Sequence, residues 1–570
     1  MFYIFTLPMI LKHINQIPVI AEAHGAKYAV LSPGSRVAPL TLAFTRYKKI
    51  ECFTLSDERS AAFAAMGMAE ASSTPVVIAC TSGTAASNYI PAVTEAYYRQ
   101  IPMVILTADR PPEWIDQWDG QTIRQNNLYS NHIKRSFELP VDTSHEDAQW
   151  QSNRIINEAF IEAKKHPCGP VHVNIPLREP FYPEPGENFK FERKVRIIEN
   201  GEITRSIPLN ILSDLEKKYK ESRNVLILAG QSNISRENQE KLSDWARRKN
   251  IPVITDIISN CFNVDTAITK ADIFLKTLKE SEFNKLNPDL IISFGKSIIS
   301  KNTKIYLRLR INRKQEHWYV GINEFLSDPL QNLTKTIDVE IDQFLDQTMD
   351  WENKDPKYLK SWQAKEEKAE AKLNSILGKN GETLNELSVS KAILQSLPEN
   401  TNLHLANSMP VRWVNFISGK GRNLHIIANR GTSGIDGTIS TAMGHSIVKS
   451  DKYNVILTGD LSFFYDRNSL WHNYDYKNLC IVIMNNRSGG IFGLIDGPSR
   501  QPESNEWFET RQMLTARNIA RDHKLQYFKC TTTTHIAEAK ELIKSSSGRI
   551  IIEIFTEPDH NKKVFKALFQ

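Results

Sequence analysis

What most constrains this chain is a unit that returns along its whole length: a short, unbroken run of β-branched and aliphatic residues that stops on a small or polar residue. A helical pattern then follows. In the first third the unit is written "KYAVLSPGSR", "IECFTLSDERS", "TPVVIACTSGTA" and "IPMVILTADRPP". Runs that do not alternate with polar residues suit strands buried on both faces of a parallel sheet, and such a sheet must be covered by helices. After "GPVHVNIPL", the segment "REPFYPEPGENFKFERK" is rich in Pro and charge without periodicity and reads as a linker. A second set follows in "RNVLILAGQSN", "IPVITDI", "PDLIISFGKSIIS" and "EHWYVGIN". The charged stretch "DWENKDPKYLKSWQAKEEKAEAKLNSIL" then reads as a solvated connecting helix. The last third returns to the first theme with "NLHLANSMP", "NLHIIANRGTSG", "YNVILTGDLSF", "NLCIVIMNN" and "RIIIEIFTE". The fold class is therefore α/β, with three doubly wound parallel-sheet domains. We place them at 1–182, 183–350 and 386–570, with the connecting helix at 351–385; a length of 570 residues favours several domains by itself.

Composition removes some classes of function. Lys plus Arg number 71 against 65 Asp plus Glu, so the net charge of +6 predicts neither a nucleic-acid stripe nor a polybasic membrane anchor. The start "MFYIFTLPMIL" is apolar but lacks a basic leading region, is interrupted by Pro8 and has no small-residue cleavage pattern. It reads as the start of a core helix. No stretch approaches the roughly 20 apolar residues that span a bilayer, so no stable membrane insertion is expected. The six cysteines are scattered without a C-x-x-C pair, which points to ordinary buried thiols in a reducing cytoplasm. None of the 14 histidines lies in a catalytic motif, and there is no H-E-x-x-H or G-x-S-x-G pattern.

Ligands of doubly wound sheets bind at the carboxyl ends of strands. Ser35, Arg36, Glu58, Arg110, Arg430, Asp460 and Asn486 all directly follow apolar runs. Taken singly, each acid or amide also reads as a helix cap or a turn former, and that alternative stands at this point. Asp460 closes one run and Asn485-Asn486 the next, with the helix-capable "SLWHNYDYKN" between them. Neighbouring parallel strands would bring a carboxylate and an amide oxygen to one sheet edge. Such oxygens suit magnesium, which takes a few ligands from protein and the rest from phosphate and water.

The pattern "GDLSFFYD…IVIMNN" resembles the thiamine-diphosphate-binding motif, with Leu461 where a further Gly is usual. With "SPGSRVAPLTLA", "SDERSAAFAAMGMA", "TSGTAASNYIPAVTEA", "LTADRPPE", "GQTIRQ", "NRGTSGIDGTISTAMG" and "GGIFGLI", the chain resembles the thiamine-diphosphate-dependent carboligases of menaquinone biosynthesis. The motifs cover the first and last thirds densely and the middle third weakly.

The resemblance implies a pyrimidine-binding domain first, a central domain without cofactor, and a diphosphate- and metal-binding domain last. Active sites would lie between subunits of a homodimer or a dimer of dimers. The implied cofactors are thiamine diphosphate and Mg2+, with Mn2+ an alternative. Asp460, the Asn486 side chain and the backbone carbonyl of Ser488 would ligate the metal. Glu58 would be the catalytic carboxyl against the aminopyrimidine ring, its proton held more tightly by burial. Ile435 would bend the cofactor and Gly434 let backbone approach it, while Ile491, Phe492 and Ile495 would wall the thiazolium.

The implied transferase reaction decarboxylates 2-oxoglutarate and adds the succinyl-semialdehyde carbanion to isochorismate, releasing CO2. Both substrates carry two carboxylates, which guanidinium forks match. Ser35, Arg36, Arg110, Gln121, Lys301, Ser408, Arg412 and Arg430 fall on the family's substrate-contacting positions. Departures are Asn302, where a second basic residue is common, and Arg487-Ser488 after the Asn pair. A 2-oxoacid decarboxylase or acetolactate-synthase-like enzyme shares the Gly-Asp…Asn-Asn half alone. A catalytically dead scaffold would lack Glu58 or Asp460, and both are present.

Overall fold

A computed structural model describes residues 11–179, 181–183, 191, 194–201, 203–309, 315–379, 383–474, 478–494, 497–545 and 548–570. Among the described residues three six-stranded sheets contain every strand, and each strand pair is parallel. The first sheet is built from β1 (Tyr28–Leu31), β2 (Glu51–Thr54), β3 (Val76–Cys80), β4 (Met103–Asp109), β5 (Arg135–Glu138) and β6 (Pro170–Pro176), in the order β2-β1-β3-β4-β6-β5. Its interior strands β3, β4 and β6 are buried at every position, whereas the edge strands β2 and β5 are largely not. Unbroken apolar runs therefore mark the sheet interior.

The second sheet comprises β7 (Val225–Ala229), β8 (Val253–Thr255), β9 (Ala267–Ile268), β10 (Leu290–Phe294), β11 (Glu316–Val320) and β12 (Lys335–Ile337), ordered β12-β11-β10-β7-β8-β9. In the third are β13 (Thr401–Leu405), β14 (Leu424–Ile427), β15 (Asn454–Gly459), β16 (Leu479–Asn485), β17 (Gln526–Cys530) and β18 (Ile550–Phe555), ordered β14-β13-β15-β16-β18-β17. The first and third sheets thus share one strand order. Their direction of winding reverses between β1 and β3, and between β13 and β15, which is where an open crevice forms at the carboxyl edge.

The described residues group into two compact units. One contains the first sheet together with Gly431–Ser450, a segment that leaves the third sheet after β14. Its helix Thr438–Val448 crosses the Ala-rich helix Glu58–Ser72 backbone to backbone: a Cβ on Gly67 would overlap the Thr441 carbonyl, and one on Gly444 the Ala64 carbonyl. Only glycine permits that approach at both crossings. Asp466 fastens the start of the same helix, accepting from the Ser440 amide (2.8 Å) and hydroxyl (2.7 Å).

The other unit carries the second and third sheets. One apolar cluster runs from Leu226, Leu228 and Ile291 of the second sheet, through Trp362 and Leu373, to Leu403, Val455, Val482 and Ile552 of the third. Trp362 and Leu373 lie on the helix Pro356–Lys379, so this element is a buried wedge along one face rather than the solvated connector read from its charge. Burial of Tyr358, Trp362, Leu373 and Ile376 against both sheets explains the difference.

The first described helix is Lys12–Ala23, and the apolar start read as the beginning of a core helix lies, up to Ile10, outside the described residues. Other expectations change. Cys52 and Cys168 are half-buried, the other cysteines buried. Among the described residues between β15 and β16, the short helix Asp460–Tyr465 is followed by a 3-10 turn, Arg467–Leu470, and positions 475–477 of the stretch read as helix-capable lie outside the described residues. Among the described residues no helix is long and apolar enough to cross a membrane.

Candidate active site

In the first unit, the loops after β1, β3 and β4 converge. A Cβ on Gly34 would strike the Thr81 side chain, and Gly83, at a φ of +84°, lies against the Gln121 backbone. These contacts set "PGSR" beside the loop that follows β3. Buried Arg36 donates to the Leu177 carbonyl (2.7 Å) and stacks on Phe181 at 4.8 Å. Burial, and then the charge of Arg110, lowers its pKa. Arg110 is held by Asp119 (3.1 Å) and the Gly120 carbonyl (2.8 Å). Two guanidinium groups close enough to oppose each other's charge make a site for an anion. Ser35 and Gln121 are exposed at the same edge.

Glu58 opens the helix after β2. The capping work there is done by its neighbour: Asp57 accepts from the Ser60 amide (3.2 Å) and from Asn468 (2.8 Å). Glu58 is thereby left half-exposed, with the Asn88 amide at 3.5 Å. A helix-cap role is thus already filled, and the Glu58 carboxyl is available for chemistry.

The loop bearing Gly434 and Ile435 belongs to this unit. Buried Glu95 pins it, accepting from the amides of Gly431 (2.8 Å) and Thr432 (2.7 Å) and the Thr432 hydroxyl (2.7 Å). Ile435 remains 38% exposed, an apolar side chain presented rather than packed as core filler.

In the second unit, Ser408, Arg412 and Arg430 come together at the ends of β13 and β14. Arg412 donates to the Ser408 carbonyl and Arg430 to Asn407 (3.0 Å), whose amide in turn bonds the Asn429 carbonyl (2.6 Å). Burial, with the nearby Arg430 charge, pushes the Arg412 pKa down to about 10. The second sheet buttresses this corner: Gln231 donates to the Ala428 carbonyl (2.8 Å) and Ser297 to the Arg430 carbonyl (3.1 Å). Gly230 and Gly295, which end β7 and β10, meet backbone to backbone. The winding reversal of that sheet is consequently filled by protein. Lys301 points outward from its helix, and Asn302 is used structurally, bonding Asp272 through its amide nitrogen (2.9 Å) and side chain (2.8 Å).

At the third sheet's edge the register pairs Gly459 with Met484, so Asp460 and Asn486 leave adjacent strands side by side. They are 2% and 7% exposed. Burial pushes the Asp460 carboxyl up to about 6, although Gln512 donates to it at 2.6 Å. Asn486 donates to Glu386 (2.7 Å) while its carbonyl oxygen accepts from the Ser488 amide (2.9 Å). The Ser488 hydroxyl bonds the buried Glu509, itself paired with Lys562 at 2.8 Å. Among the described residues no group of three His, Cys, Asp or Glu side chains could hold a metal. A buried carboxylate bonded to a neutral amide, beside an amide oxygen, fits a hard cation whose shell is completed by phosphate.

Ile491 and Phe492 lie in a turn rather than a helix; Phe492 is 36% exposed near Phe508, and Ile491 packs partly on the core. Ile495 lies outside the described residues. Glu386, Gln512 and Glu95 were not among the sequence candidates. A glutamate in a first helical turn or a glutamine in a loop carries no distinctive local signal, and their bonds span 100, 52 and 336 positions.

Comparison with known proteins gives the family. The family models described as "Thiamine pyrophosphate enzyme, N-terminal TPP binding domain", "Middle domain of thiamine pyrophosphate" and "Thiamine pyrophosphate enzyme, C-terminal TPP binding domain" match residues 16–129, 209–405 and 409–554. The chain is 41% identical to the 2-succinyl-5-enolpyruvyl-6-hydroxy-3-cyclohexene-1-carboxylate synthase of Cytophaga hutchinsonii, over 98% of both chains. The chain belongs to this synthase family. Synthases of the same name from Flavobacterium johnsoniae (35% identical, 97% of both chains) and Bacteroides thetaiotaomicron (33%, 98% of both) are similar over the same extent. The cofactor of this synthase family member is thiamine diphosphate with a divalent metal ion, and its α/β fold of three parallel sheets is that of thiamine-diphosphate enzymes.

Proposed function

We propose that the protein decarboxylates 2-oxoglutarate and adds the resulting four-carbon unit to isochorismate in menaquinone biosynthesis, as the name shared by its relatives denotes. The observation that carries this reading is the presence, at sheets of one strand order, of an oxygen-lined corner suited to a metal and of two arginine clusters suited to dicarboxylates. Bound thiamine diphosphate supplies the carbon centre that takes up the 2-oxoacid and allows loss of CO2.

The chain's own residues do the rest. Asp460, the Asn486 oxygen and the Ser488 carbonyl would hold Mg2+, or Mn2+, for the diphosphate. Glu58 would donate a hydrogen bond to the aminopyrimidine and serve as its acid–base group; Gly434 and Ile435 would shape the cofactor's seat, and Ile491, Phe492 and Ile495 would wall it. Arg36 and Arg110, with Ser35 and Gln121, and Arg412 and Arg430, with Ser408 and Lys301, clamp carboxylates in attack geometry. In this reading 1–182 is the pyrimidine-binding domain, 183–350 the central domain, 351–385 the connector and 386–570 the diphosphate domain. The enzyme works in the cytoplasm as a homodimer, or a dimer of dimers, with each site shared between subunits.

The test is an assay of the full-length protein with 2-oxoglutarate and isochorismate, following CO2 and the succinyl adduct. Ready consumption of pyruvate with no adduct from that pair would overturn the assignment.

A further inference from the structure

The geometry points to Glu386 as a positioning residue for the metal: its carboxylate fixes which end of the Asn486 amide faces the cation. The inference rests on the reading that Asp460 and Asn486 ligate that metal.

Glu386 lies in the first turn of the helix Glu386–Ser396 and is 2% exposed. Its two oxygens are each taken by an N–H: Oε1 by Asn486 Nδ2 at 2.7 Å, and Oε2 by the indole of Trp413 at 2.6 Å. The glutamate is itself held, its backbone amide donating to Asn561 (2.9 Å) and its carbonyl accepting from Ser390 (2.7 Å). An ionised carboxylate can only accept. Asn486 must therefore turn Nδ2 toward Glu386, and Oδ1 then lies on the opposite side, where the Ser488 amide donates to it at 2.9 Å. Reversing the amide would set oxygen against oxygen at Glu386 and N–H against N–H at Ser488. Because a carbonyl oxygen has two lone pairs, Oδ1 keeps one for a cation. Reversed, the site would offer the metal an NH2 group, which cannot ligate it.

Hydrogen-bond partners of metal ligands characteristically tune metal affinity by fixing the orientation of the ligating group.

The test is titration calorimetry of the full-length protein with MgCl2 in the presence of thiamine diphosphate. Glu386→Gln is expected to weaken Mg2+ binding by about 10- to 100-fold, because a glutamine has one oxygen for two N–H donors. Trp413→Phe removes the competing donor. The double variant Glu386→Gln/Trp413→Phe should therefore recover a large part of the lost affinity, since the glutamine oxygen is freed for Asn486. Melting in EDTA separates folding from binding: a fall there in Glu386→Gln, with Mg2+ affinity unchanged, would make Glu386 merely structural and overturn the inference. So would a double variant no better than Glu386→Gln. Asp460→Ala is the reference. If it abolishes Mg2+ binding while Glu386→Gln binds as the parent does, the inference fails and the metal reading stands; if neither variant affects binding, both fall.

Discussion

The first and third sheets run in one strand order, yet the polar groups that follow their strands differ. After β1 and β4 the first sheet places Arg36 and Arg110, two cations, with burial and then the Arg110 charge lowering the proton affinity of Arg36. In the third sheet the ends of β15 and β16, which match β3 and β4, place the oxygen-bearing Asp460 and Asn486, while the ends of β13 and β14 carry Arg412 and Arg430. The second sheet is wound differently, and its reversal point is plugged where Gly230 meets the Lys296 backbone. The difference teaches that strand order decides where a crevice opens, while a few loop residues decide its charge. It also gives the second sheet a task that needs no cofactor, to hold the Arg430 corner through Gln231 and Ser297.

The sharpest way to break the comparison is at Glu58. Glu58→Gln should lower kcat by about 10²- to 10⁴-fold, the range for a lost acid–base group, with thiamine diphosphate affinity little changed. Equal turnover would remove the first sheet from the proton relay. At the third sheet Asp460→Ala should do the converse, weakening metal-dependent cofactor binding by at least about 100-fold by calorimetry. The arginine corner is a separate matter. Arg412→Gln should raise KM for a dicarboxylate substrate by about 10- to 100-fold, matching the roughly 1.5–3 kcal/mol of a charged hydrogen bond. An equal loss of cofactor affinity would assign that corner to the diphosphate instead.

Smaller effects test the scaffold. A Cβ at Gly230 would overlap the Lys296 carbonyl, so Gly230→Ala should cost about 1–3 kcal/mol, read as a lowered Tm. It should also raise substrate KM without altering Mg2+ affinity, because the plug supports Arg430. The smallest effect is acid sensitivity of the first sheet. Burial pushes the pKa of His172 down to about 3. Below its unfolded value near 6.5 the unfolded chain takes a proton that the folded chain refuses, so stability is lost as pH falls from 6.5 toward 3. Between pH 6.5 and 5.5 that amounts to about 1 kcal/mol. Denaturant unfolding at the two pH values measures it, and His172→Gln should flatten the slope.

Legibility in the sequence followed burial. The interior strands of all three sheets stood out as unbroken apolar runs, and β5, β9, β12 and β17, which did not, are all edge strands. β5 and β17 are half-exposed, and β9 and β12 are only two and three residues long. Of the proposed site, the candidates that the sequence offers, among them Arg36, Glu58, Arg110, Asp460 and Asn486, are residues that immediately follow such runs. Those that hold them were not: Glu386, Glu95 and Gln512 act on partners far away in the chain.

The sequence by itself determined which segments are strands of parallel sheets and which polar residues end them, because a run buried on both faces admits little else and its end must meet the carboxyl edge. Tertiary structure alone decided the strand order, the joining of Gly431–Ser450 to the first sheet, the burial of the charged helix Pro356–Lys379, and the amide end that Asn486 turns toward Glu386. Each of these depends on groups brought together from distant parts of the chain, and no local pattern of residues records such a meeting.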